Sequence, residues 1–137
     1  MSNNVRLIDL KNWLKTKTDC GEAVTLGGID ANRERCIGIY ARDPDDRGMG
    51  AHICLGGAAM TKTRPLYAEI LIHWGRDAAA AEEKAWEIWA LFAGLTDAWL
   101  GQAPVYLAQP GTAPLPRDRD GRGICEYAVR LTLWGAA

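Results

Sequence analysis

Hydrophobic and polar positions alternate most clearly over residues 66–74. Leu66, Ala68, Ile70, Ile72 and Trp74 fall on one side, and Tyr67, Glu69, Leu71 and His73 on the other. A period of two, built from β-branched and aromatic residues, predicts a strand with one dry face and one mixed face. Pro65 belongs before this strand or on an edge, because it has no N–H to give a ladder. After Gly75 the period becomes helical: Ala81, Ala85, Ile88 and Phe92 make one stripe, with Trp89 beside it. Asp77 is placed to cap this helix, Glu82 and Glu83 sit near the positive end of its dipole, and Gly94 is placed to stop it. Glu83, Lys84 and Glu87 are expected on the solvent side, and Trp86 at the rim of the apolar arc.

The same patterns, weaker, run through the rest of the chain. Residues 4–16 predict an amphipathic helix with Leu7, Leu10 and Leu14 on one face and Ser2 or Asn3 as its cap. Residues 23–26 form a candidate short strand closed by Gly27 and Gly28. Residues 33–41 alternate again, with Ile37 and Ile39 opposite Cys36, Gly38 and Tyr40. Residues 42–50 are a turn by composition, and residues 51–63 a strand end followed by a glycine-alanine loop. Beyond the central helix, residues 96–103 are expected to wind down through Trp99 and Leu100. A short strand follows at 105–108, then a long polar loop at 109–123, whose length points to a functional or partner-ordered segment. Residues 124–134 predict a last strand. Cys125, Tyr127, Val129, Leu131 and Leu133 line one side of it; Glu126, Arg130, Thr132 and Trp134 line a wetted side. This order predicts one α+β domain over residues 1–137: a single mixed or mostly antiparallel sheet with two main helices packed on one face.

Composition narrows the function more than the fold. A length of 137 residues suits one domain, and 48% hydrophobic residues suffice for a real core. The formal charge of −1 gives no basic footprint, so nucleic acid is not an expected partner. No apolar run approaches the roughly 20 residues of a membrane span. Cys20, Cys36, Cys54 and Cys125 are scattered without a CxxC pair, and the N-terminus has no apolar leader; reduced thiols in a cytosol are the expectation.

Several motifs stop short of chemistry. The Asp43-x-Asp45 pair opens like a calcium loop, but Arg47 holds the fifth position and Cys54 stands where the bidentate Glu is needed. Residues 56–63 read G-x-x-x-x-T-K-T, with Thr61 in place of the second glycine of a phosphate loop. Arg64, Pro65 and a strand then follow where a helix N-terminus is required. Ser2 is the sole serine, and His52 and His73 lie on separate segments. Glu69 and His73 share one strand face at i, i+4, too far along a strand for ready contact, and a Cys–His pair would need chance proximity. The residues therefore give no reason to expect an enzyme, a cofactor or a metal. Six tryptophans against one phenylalanine are unusual. Trp74 and Trp89 are expected in the core, while Trp86 and Trp134 are interface candidates.

The run RPLYAEILIHWGRDAAAAEEKAWEIWALF, then PVYLAQPGTAPLPRDRDGRG and the closing CEYAVRLTLW, preceded by LIDLKNWL, resembles the minor capsid or tail-terminator (tail completion) family of siphophages and their prophages. The likeness spans most of the chain, with soft patterns and no catalytic signature; residues 51–63 do not map onto it. It implies a non-enzymatic structural subunit of a virion tail or neck, assembled in a bacterial cytoplasm. Such a subunit forms a homo-oligomeric ring, expected as a hexamer, that caps the tail tube protein and meets the head-tail connector. Trp86, Trp134 and the loop arginines Arg117, Arg119 and Arg122 are the interface candidates under this reading. The alternatives are a head-completion protein at the neck and, from a different class, a small cytosolic enzyme or nucleotide-binding protein using residues 56–63.

Overall fold

The computed structural model describes residues 4–43 and 63–136. In order, these form helix α1 (Leu7–Lys17), strands β1 (Val24–Leu26), β2 (Arg35–Ala41) and β3 (Thr63–Trp74), and helix α2 (Ala78–Phe92). Strands β4 (Thr96–Leu100), β5 (Ala103–Pro110), β6 (Leu115–Arg117) and β7 (Glu126–Ala136) follow. The fold is α+β, two helices with one mixed sheet of strand order β1-β2-β3-β7-β5-β4, while β6 pairs with β7 beyond β5. Only the β1–β2 pairing is parallel among the described strands. The caps expected at Ser2 or Asn3, the calcium-like turn, the G-x-x-x-x-T-K-T run, His52 and Cys54 fall wholly or mainly outside the described residues.

The two best sequence patterns translate directly. Ile37, Ile72 and Tyr127 stand in one cross-strand row, and Ile39, Ile70 and Val129 in the next. That face joins Leu10 and Leu14 of α1, and Ala81, Ala85, Ile88 and Phe92 of α2, in one hydrophobic cluster. Each large aliphatic side chain buried there contributes roughly 1.5–3 kcal/mol. Asp77 caps α2, its carboxylate accepting from the N–H groups of Ala79 at 3.0 Å and Ala80 at 3.5 Å. Gly94, at φ +75°, turns the chain out of the helix in a conformation that glycine adopts freely.

α1 touches β1 and β2 at one end of the strand order and β4 at the other. The sheet is therefore curled, and this helix spans the gap between its outer strands. The N-cap of α1 is Arg6, whose backbone N–H donates to the Asp9 carboxylate at 2.9 Å.

Four expectations are corrected. Residues 96–100 do not continue winding down from the helix: the Ala108 N–H donates to the Leu95 carbonyl and draws the chain into the sheet as β4. β5 extends over both flanking prolines, and the expected loop at 109–123 contains β6. Pro65 lies inside β3 opposite Trp134 and keeps to the edge option expected for it, since among the described residues the pairing of β3 with β2 stops at Ala68. Lys84, expected in solvent, is 7% exposed. It stands three residues after Ala81 and four before Ile88, which places its stem in the apolar stripe.

Candidate functional site

The sheet face opposite the main cluster carries a row of polar side chains that meet one another. Register places Cys36, His73 and Glu126 in one row, then Gly38, Leu71 and Ala128, then Tyr40, Glu69 and Arg130. Loop 27–34 crosses the first rows. A Cβ on Gly38 would lie 2.6 Å from Cγ2 of Ile29, so only glycine admits the loop this closely.

His73 is the centre of this face. It is fully buried at 0% exposure. Its Nε2 donates to the Arg33 carbonyl at 2.9 Å, and its Nδ1 lies 2.8 Å from Oε2 of Glu126. A third acceptor, Oδ2 of Asp120, lies 3.7 Å from Nε2. Both ring nitrogens are thus engaged, and neither has a lone pair turned toward a substrate or a metal. Asp120 in turn builds its own loop: Oδ1 accepts from the N–H groups of Arg122 at 2.8 Å and Ile124 at 2.9 Å. These bonds, the Ile124 N–H foremost, hold the Asp120 carboxyl below the usual carboxylate range.

Cys36 is the register partner of His73, yet the pair is no nucleophile and base. Burial above all pushes the Cys36 thiol up, away from thiolate, and its sulfur faces the Asp30 carbonyl at 3.7 Å. Glu69 does not reach His73; its carboxylate holds Arg117 at 2.9 Å and Arg130 at 3.2 Å. At the far end of the face, Arg42 stacks over Tyr67 at 5.3 Å and donates to the Thr132 hydroxyl at 2.9 Å.

A second polar cluster lies where α1, α2 and β3 meet. The Lys84 ammonium donates to the Thr18 hydroxyl at 2.7 Å and to Glu87 at 2.9 Å, and sits 4.9 Å from the centre of the Trp74 ring. The Thr18 hydroxyl in turn donates a hydrogen bond to Glu87. That bond, foremost, holds the Glu87 carboxyl below its ordinary range. Two clefts open beside this cluster. One, of about 470 Å³, is lined by Thr18, Cys20 and Glu22 among others, and one of about 240 Å³ by Arg35, Trp74, Lys84 and Glu87. The Cys20 thiol in the larger cleft is pushed up chiefly by burial, which makes it a poor nucleophile.

The interface candidates differ in exposure and in partners. Trp86 is 44% exposed on α2 and packs edge-on against Trp89 at 5.3 Å. Trp134 is buried at 4% exposure, its indole N–H donating to Gln109 at 2.8 Å, so it is not on a wetted side and presents little surface to a partner. Arg117 is committed to Glu69. Arg119 donates to the carbonyls of Arg76 and Gly123, and Arg122 to that of Ala31. The 118–123 loop is therefore fastened by contacts within its own chain. Sequence reasoning missed Trp99, the most exposed large hydrophobic residue described, at 63% on outer strand β4. Its signal was hidden because residues 96–100 read as a helix tail.

Among the described residues, no group of three or more His, Cys, Asp and Glu is placed to hold a metal ion. No helix among them is long and apolar enough to cross a membrane. No protein-family model matches the chain, and no curated protein matches it.

Proposed function

We propose that this chain is a structural assembly subunit of a phage or prophage tail. In this reading it is a tail-terminator protein that closes into a ring, caps the tail tube and offers a surface to the head connector. It works by fitting against copies of itself and other virion parts, without catalysis. The observation that carries this reading is Trp99, a large ring left in solvent on an outer strand. Exposed tryptophan is costly to leave in water and is enriched at the centres of protein interfaces. A ring needs a head-to-tail contact between two different patches of each subunit. Trp99 on β4 and the exposed Trp86 on α2 supply two different patches. The sequence likeness to tail-terminator proteins points the same way.

The test is light scattering of the purified protein, followed by electron microscopy with tail tubes. Rings in solution, or density capping tube ends, are expected, with Trp99→Ala weakening assembly by about tenfold or more, as hot-spot truncations do. A chain that stays monomeric at high concentration and leaves tubes bare overturns the proposal. Density on the head connector, with tube ends left free, would replace it with a head-completion role.

A further inference from the structure

The polar face contains a group that the assembly reading does not use. His73 lies in the middle of the sheet, fully buried, and touches three separate parts of the chain. From loop 27–34 it meets the Arg33 carbonyl, from β7 the Glu126 carboxylate, and from the 118–123 loop the Asp120 carboxylate. All three are acceptors, so every contact to this ring requires an N–H on the ring. A ring carrying two protons satisfies both sides at once; a ring carrying one must leave a bare nitrogen against a carboxylate or a carbonyl. Other fastenings of the loop lie nearby: Arg122 reaches the Ala31 carbonyl at 2.9 Å, Arg119 the Arg76 carbonyl at 3.1 Å, and Arg76 the Arg122 carbonyl at 3.1 Å.

We propose that His73 is a proton-controlled latch, which holds loops 27–34 and 118–123 together on the sheet while its ring is doubly protonated and loosens them when one proton leaves. The latch has an alkaline limit and an acid limit. Raising the pH takes the imidazolium proton, and the ring then faces Glu126 and Asp120 with one donor too few. Lowering it far enough protonates those carboxylates and removes the charges that the ring holds. Burial keeps the Cys36 thiol and the nearby Tyr40 phenol protonated well past neutrality. Arg122 adds positive charge beside Asp120 and favours its ionised form. What the latch controls is access to Arg119 and Arg122, which are tied to backbone carbonyls when the loop is down.

The experiment follows the imidazole signals of His73 by NMR across pH and, on the same samples, the hydrogen exchange of the Arg122, Gly123 and Ile124 amides, corrected for intrinsic rate. Protection is expected to fall by about tenfold as the ring loses its proton, the worth of one charge-assisted hydrogen bond. His73→Gln, which cannot titrate, should show low protection at every pH. Protection that stays flat while the ring titrates overturns the proposal, as does the same pH dependence in His73→Gln. Should that variant not fold, Asp120→Asn serves. It removes one charged acceptor from the ring and is expected to loosen the loop, and unchanged protection of the Gly123 and Ile124 amides would equally defeat the latch.

Discussion

The two faces of the sheet are held by different physics, and they differ in how much a single atom matters. The face of Ile37, Ile39, Ile70, Ile72 and Val129 meets buried residues of both helices in a non-directional apolar contact. The opposite face buries His73, Thr132 and Trp134 as well, but these are held by hydrogen bonds to named partners: His73 to Glu126 and the Arg33 carbonyl, Thr132 to Arg42 and Trp134 to Gln109. The first face tolerates exchange among side chains of similar volume. The second depends on donors and acceptors being in the right protonation state and position.

Paired substitutions test this contrast. Ile70→Ala should cost about 3–4 kcal/mol in urea unfolding, within the span for a buried aliphatic truncated to alanine. Its neighbour Leu71→Ala, half-buried on the other face, should cost about 1 kcal/mol. Equal losses would mean that the two faces are packed alike. Trp134→Phe should cost about 1–2 kcal/mol, from lost volume and the lost N–H to Gln109; the same measurement on Gln109→Ala should recover only the smaller, hydrogen-bonding part. Glu69→Gln, which weakens its grip on Arg117 and Arg130, should cost about 0.5 kcal/mol and less at high salt.

Acid provides the mildest probe. Asp120 and Glu87 both have carboxyls held below their unfolded values. Each therefore contributes stability that is present above the unfolded carboxylate range and disappears as pH falls through the lowered folded value. Urea midpoints should decline on acidification below that ordinary range. Asp120→Asn and Glu87→Gln should each flatten part of the decline, and a chain whose midpoint is indifferent to acid would show that neither bond matters.

Much of the core face was legible because burial on one side imposes a period. Ile70 and Ile72 announce a strand, Ala81 to Phe92 a helix, and Asp77 and Gly94 its two ends, all from neighbours within a few residues. Lys84 was misread because a charged head suggests solvent, although its position in the stripe buries its stem. Trp134 was misread because alternation identifies a side but not what covers it. Asp120, an ordinary loop aspartate by sequence, becomes part of a site only when the fold carries it to a histidine on β3.

The amino-acid sequence alone determined the main periodic elements, the two ends of α2 and the α+β class, since those depend on local backbone chemistry and on which side of an element is apolar. Tertiary structure alone decided that the sheet curls around α1, that His73 gathers acceptors from three segments, and that Trp99 rather than Trp134 faces solvent. Those outcomes depend on contacts between residues far apart in the chain, and no local period encodes them.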